Sequence, residues 1–275
     1  MWTSPWASPC YKRSRWFVRS GFFHMCTLVL LRRPGESWPL VMTANRDEMA
    51  GRPSRPPGRW WDDRPDVIAG MDELAGGSWM GVNDTGVVAA ILNRMGTLGP
   101  LAGKRSRGEL VLEALDHADA VDAAEALTCL DASAYRPFNM VVADNRDAFW
   151  LRADGKRISV HPIEPGLHML SALEMDDRTS PRIQAYLDRF SALPPPQPDL
   201  NTGWEPWAEL MADQGGTGPD GEEAPSMCFT RTDGFGTVSS SLIALPAPEQ
   251  GPIAPVWHYA PGRPDQTAYK AISME

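Results

Sequence analysis

The apolar positions fall into short runs separated by turn-forming residues. A strand is predicted over 26–31 (Cys-Thr-Leu-Val-Leu-Leu) and a return strand over 39–44. The turn at 32–37 carries a Pro-Gly pair, so the two form a hairpin. A Pro- and Arg-rich loop spans 52–66. Strands at 78–82 and 87–92 follow, joined by the Asn-Asp-Thr-Gly turn at 83–86. Between 105 and 130 the period changes: Leu110, Leu112, Leu115, Val121, Ala124 and Leu127 recur at helical spacing, with Asp119 or Asp122 able to start a second helix.

Strands resume at 138–143, 148–152 and 157–161, with polar turns at 144–147 and 153–156, which is the pattern of an antiparallel meander. Helices are predicted over 181–190 and 205–212, on either side of a Pro-rich connector at 194–198. A Gly/acidic loop covers 214–225, and strands at 227–232, 237–245 and 255–259 end the chain. Blocks of strands alternating with paired helices predict an α+β layered sandwich rather than a βαβ fold. No internal repeat or domain break interrupts residues 25–275, which read as one domain.

Composition narrows the function classes. A net charge of −9 opposes a nucleic-acid or anionic-membrane partner. Pro at 26 and Gly at 24 fit many turns, and Trp at 11 is high. The longest apolar run, 22–31, is far short of the ~20 residues that span a bilayer, so a soluble, cytoplasmic protein is expected. The Ala/Arg/Gly/Pro-rich body suggests a bacterial gene.

The first 24 residues stand apart, with Lys12, Arg13, Arg15, Arg19 and three tryptophans but no acid. Arg15 and Arg19 interrupt the apolar stretch that a secretory signal needs, while a transit peptide fits the composition. The third reading, a start at Met25 with 1–24 dispensable, leaves the body more acidic by four charges. No CxxC, HExxH, GxGxxG or GKS/GKT pattern occurs, so no metal, disulfide framework or nucleotide cofactor is expected.

Candidate chemistry begins at Met25-Cys26. Loss of Met25 leaves Cys26 with a thiol and a free α-amine, whose pKa near ~8 suits it to accept a proton from a thiol near ~8.5. Arg46, at the close of the return strand, can stand beside Cys26 and favour its thiolate. Asp47 can hold the ammonium form, Glu48 or Asn45 can orient these groups, and Asn93, after the 87–92 strand, can donate to an oxyanion. Taken singly, each has an ordinary structural use: a buried strand cysteine, a loop ion pair, a turn asparagine.

Several blocks together resemble one family. Met-Cys-Thr-Leu-Val-Leu-Leu at 25–31, Ala-Asn-Arg-Asp-Glu at 44–48, Arg52-Pro53, Gly-Gly-Ser-Trp-Met-Gly-Val at 76–82, Gly86 to Asn93, Arg-Gly-Glu-Leu-Val at 107–111 and Phe-Asn-Met-Val-Val-Ala at 138–143 occur in the order of the NRDE family, which includes the transport and Golgi organisation protein 2 homologues. The resemblance implies the four-layer αββα fold of N-terminal-nucleophile (Ntn) hydrolases, related to bile-salt and penicillin V hydrolases and isopenicillin N acyltransferases. By the same resemblance Cys26 is the nucleophile, Arg46 and Asp47 flank it, and Asn93 is the oxyanion asparagine.

The chain departs from that pattern twice. Ser171-Ala172 replaces the usual Ser-Asn, and Gly236-Thr237-Val238 replaces Gly-Thr-Arg, with Arg231 nearby as a substitute arginine. Two functions are implied. One is hydrolysis or acyl transfer on a linear amide or thioester. The other is non-catalytic binding or trafficking of a haem-like or acyl-lipid ligand, with Trp60, Trp61 and Trp79 in its pocket. Asn145-Arg146-Asp147 repeats the tripeptide of 45–47 inside a hairpin turn and reads as structural.

Overall fold

The structure is a computed structural model that describes residues 25–274 apart from 199–200, 218–223 and 252–253. The basic segment 1–24 and the middle of the Gly/acidic loop lie outside the described residues. Two antiparallel sheets form the centre. The first takes β1 (Thr27–Arg32), β2 (Leu40–Met49), β10 (Gly166–Leu170), β11 (Phe235–Leu245), β12 (Val256–Ala260) and β13 (Lys270–Ala271), in the order β10-β1-β2-β11-β12-β13. The second takes β3 (Ser54–Gly58), β4 (Val67–Asp72), β5 (Met80–Asn83), β6 (Val88–Asn93), β7 (Phe138–Ala143), β8 (Ala148–Ala153) and β9 (Ile158–Pro162) in sequence order.

Alternation of side chains along each strand builds three apolar layers from the two sheets. Leu28, Leu30, Leu40 and Met42 point inward against Ile68, Met80, Val88, Ala90 and Leu92 of the second sheet. Val29 and Val41 point the other way, onto α3 (Pro181–Ser191) and α4 (Glu205–Met211), which bury Ile183, Tyr186, Phe190 and Trp207 there. Behind the second sheet, Val67, Ala69, Ala89, Met140 and Val142 meet α1 (Gly108–Leu115) and α2 (Ala120–Thr128). Strands covered on both faces need no polar side, which is why Thr-Leu-Val-Leu-Leu and Phe-Asn-Met-Val-Val-Ala read as nearly unbroken apolar runs. The order helix, sheet, sheet, helix is the expected four-layer sandwich. No helix among the described residues is long and apolar enough to cross a membrane.

Asp119 caps α2, its carboxylate accepting the Asp122 N–H at 2.8 Å. Asp119→Ala should therefore cost about 1 kcal/mol, read as a lower urea midpoint at unchanged slope.

Four strands depart from the sequence expectation. The 52–66 loop contains β3, an edge strand whose Pro56 and Pro57 lie where its pairing register shifts, between Arg55 and Gly58. Proline is tolerated at such a site because no ladder hydrogen bond is lost. Its partner β4, together with β10 and the two-residue β13, was not marked by the apolar pattern. The expected strand at 227–232 is instead a tight return. Arg231 N–H bonds to the Phe235 carbonyl, Gly234 has φ +84°, and only Thr230 bridges to Gly236.

Candidate active site

β2 divides the Asn-Arg-Asp-Glu motif between two faces. Asn45 and Asp47 point to the helix layer, and Arg46 and Glu48 to the cleft beside the second sheet. Thr27 pairs with Asn45, which brings Cys26, one residue earlier, beside Arg46 and Asp47. The Cys26 Sγ accepts the backbone N–H of Asp47 at 3.2 Å and lies 3.5 Å from its carbonyl oxygen.

The Asp47 carboxylate is enclosed. Its Oδ1 accepts the Thr237 hydroxyl at 2.8 Å, and its Oδ2 lies 3.2 Å from Arg182 Nη1; the two side chains are 0% and 2% exposed. Arg182 Nη1 also donates to Thr27 Oγ1 at 2.7 Å and to the Met25 carbonyl, the group bonded to the Cys26 nitrogen. A buried ion pair thus stands at the 25–26 peptide bond. A register shift in β11 between Thr237 and Ser239, opposite Asp47 and Arg46, helps set the Thr237 hydroxyl on the carboxylate.

On the other face the Arg46 guanidinium lies 4.1 Å from the Trp79 ring centroid and donates to Ser54 Oγ at 3.1 Å. These groups border an open cleft of about 290 Å3 that Cys26, Glu48, Asn93 and Arg107 also line. Burial, and then the Asp47 charge, push the Cys26 thiol up to about 12; the Asp47 N–H and Arg46 pull the other way. Burial likewise raises the Asp47 carboxyl, against the opposing effects of Arg182 and Thr237. Arg107 is lowered to about 10 by burial and by the neighbouring Arg136. Among the described residues no group of three His, Cys, Asp or Glu side chains could hold a metal ion.

Cys26, Arg46, Asp47, Glu48, Asn93 and Trp79 therefore converge on one cleft. Three other candidates lie elsewhere. Asn45 donates to the Met211 and Met227 carbonyls at 2.9 Å each, tying the end of α4 to the sheet. Ser171 is buried behind β10, where its carbonyl accepts from Asn139 Nδ2 at 2.8 Å. Arg231 is 41% exposed and paired with Asp233 at 2.7 Å, because the tight return turns it outward. The arginine at Asp47 comes from α3 instead. Arg182 shares the buried face of α3 with Ile183, Tyr186 and Phe190, and an arginine within an apolar stripe is the signal that marks it. Of Trp60, Trp61 and Trp79, only Trp79 lines the cleft; Trp38, Trp204, Trp207 and Trp257 are core residues.

Two antiparallel sheets between helix layers, with a cysteine at the mouth of the first strand, define a fold of the Ntn-hydrolase type. A structure described as the Caenorhabditis elegans N-acylethanolamine-hydrolyzing acid amidase ortholog has the same fold, with TM-score 0.52 and 12% identity over 90% of this chain and 100% of that one. Residues 25–247 match the family Transport and Golgi organisation 2, and the chain belongs to that family. The Bos taurus Transport and Golgi organization protein 2 homolog is 33% identical over 115 residues and the Homo sapiens homolog 32% over 115. In both, the match covers 39% of this chain and 40% of the relative, so the chain spans about two fifths of the length of the curated relatives it matches.

Proposed function

We propose that this protein is a cysteine amidohydrolase or acyltransferase of the Ntn type, acting on a linear amide or thioester with Cys26 as nucleophile. The observation that carries the reading is the placement of Cys26 Sγ at the cleft, fixed by the Asp47 N–H, with a buried Arg182–Asp47 pair against the preceding peptide bond. The amide-hydrolysing name of the fold neighbour supports the reaction class.

With residue 25 attached, the thiol has no base and stays protonated. Once Cys26 is terminal, its α-amine supplies one. Asp47 favours the ammonium form and Arg182 opposes it, and an α-amine of ordinary pKa ~8 is suited to take the thiol proton near neutrality. The thiolate attacks the carbonyl, Asn93 donates to the oxyanion across the cleft, and Arg46 favours the anionic state. The ammonium protonates the leaving group, and water or an amine resolves the thioester.

The test is the intact mass of the purified protein before and after limiting iodoacetamide, with peptide mapping of the label. The expected result is a chain beginning at Cys26 that takes its first label there, ahead of the exposed Cys129. Retention of residues 1–25, or an inert Cys26, overturns the proposal.

A further inference from the structure

Cys26, Arg46, Trp79 and Ile91 stand between two hollows of opposite character. Outside is the cleft of about 290 Å3; inside, between the sheets, is a chamber of about 30 Å3 walled by Leu28, Ala44, Met80, Ala90 and Leu92 together with the polar Thr27, Asn45, Ser239 and Ser241. One water needs about 10–15 Å3 measured in this way, so the chamber admits a chain of about two or three carbons. Ala44 and Ala90 keep it open, since longer side chains there would fill it.

The cleft is cationic, although the chain as a whole carries −9. Of its basic residues, Arg52 is answered by Asp72 at 2.7 Å and by Glu48 at 3.7 Å, and Arg105 by Glu109 at 2.7 Å. The partners of the others are neutral. Lys104 bonds to the Ser133 carbonyl; Arg107 to Thr97 Oγ1 at 3.0 Å and the Pro137 carbonyl at 3.1 Å; Arg136 to the Gly96 and Leu98 carbonyls at 2.9 and 2.7 Å. Among the described residues no carboxylate lies within ion-pair distance of these three. Arg107 is largely taken from water and repelled by Arg136, with only the smaller pulls of Cys26 and Glu48 against them, a cost that a bound anion would relieve.

We infer that the substrate is bipartite: a short acyl group of about two or three carbons enters the chamber, and the part released bears an oxyanion held by Lys104, Arg107 and Arg136. This rests on Cys26 being the nucleophile. The Cys26 Sγ forms a bond to the acyl carbon and gives its proton to the α-amine. The bond from the acyl carbon to the leaving nitrogen or sulfur breaks, and that atom takes the proton. Water then returns the short carboxylic acid and the thiol.

The probes are propionyl and octanoyl thioesters of 2-mercaptoethanol, mercaptoacetate and 2-mercaptoethyl phosphate, given to the purified mature protein. Acyl-Cys26 is read by intact mass and thiol release by absorbance. Propionyl thioesters should acylate at least about tenfold faster than octanoyl ones. Anionic leaving groups should exceed the neutral one by about tenfold in kcat/KM, with the gap shrinking in high salt and in Lys104→Gln, an exposed site that tolerates substitution. The carboxylate and phosphate arms show which oxyanion is preferred. Ala90→Leu should remove propionyl acylation while iodoacetamide still labels Cys26.

Equal rates for propionyl and octanoyl overturn the chamber assignment, and equal rates for neutral and anionic leaving groups overturn the cleft assignment. Absence of acylation by every thioester, with Cys26 still labelled by iodoacetamide, overturns the substrate class alone. An unlabelled Cys26 overturns the catalytic reading beneath it.

Discussion

Replacing Arg182 with methionine should cost the folded state about 3–5 kcal/mol, because it leaves the Asp47 carboxylate fully enclosed with no counter-charge. Methionine keeps the apolar contacts of the α3 face, so the loss measures the charge and its hydrogen bonds rather than a cavity. Urea unfolding reads it directly. The double variant Asp47→Leu, Arg182→Met should recover part of the loss, since the uncompensated charge is gone while the buried Thr237 hydroxyl and Met25 carbonyl each lose a partner. A cost under about 1 kcal/mol for the single variant would mean that water reaches the pair. Arg182→Lys keeps the charge, and because Asp47, Thr27 and the Met25 carbonyl are all contacted by the single Nη1 atom, an ammonium reaching that point should retain part of the stability and fall between the two.

The second large effect concerns Cys26 while residue 25 is attached. A thiol raised from 9.0 to about 12 holds about a thousandfold less thiolate at pH 7. The more basic thiolate is intrinsically a better nucleophile by roughly thirtyfold, so alkylation should run about thirtyfold slower than for an ordinary cysteine. Its rate should keep rising with pH toward 12. The same shift makes folding stability pH-dependent: the neutral thiol's contribution is intact below about 9 and is lost as pH rises toward 12, since the unfolded chain ionises first. A chain beginning at Cys26 should instead label fastest near neutrality. Comparing the two chains over pH with one alkylating agent separates them, and identical profiles would remove the α-amine from the mechanism.

Much of this architecture is legible in local pattern. The β1–β2 hairpin, the β7–β9 meander and the Asp119 cap are short-range features, each specified by a turn or a cap within a few residues of its partner. The meeting of Cys26 with Arg46 and Asp47 was legible for the same reason, because one hairpin register places it. What escaped depends on distant pairing. β3 forms from a proline-rich stretch only because β4 offers an edge. Asn45, in the motif itself, serves the opposite face because side chains alternate along β2, bonding to Met211 and Met227. Arg182 lies 135 residues from Asp47, and no local rule joins them. Val238 stands where the resemblance expects an arginine; Arg231 nearby is turned outward onto Asp233, and the arginine that contacts Asp47 comes from a helix packed across the sheet.

The enclosure of Met25 has a consequence in time. Met25 is 8% exposed and its carbonyl is held by Arg182. An exopeptidase must draw several residues of its target into its own groove in extended form, and a residue sealed into a sheet mouth cannot be drawn. Removal of whatever precedes Cys26 by such an enzyme therefore belongs to the nascent chain, before α3 docks. On the proposed reading with Cys26 terminal, maturation and folding become competing clocks, and a fusion partner that delays exposure of the start would leave a well-folded but permanently stoppered protein.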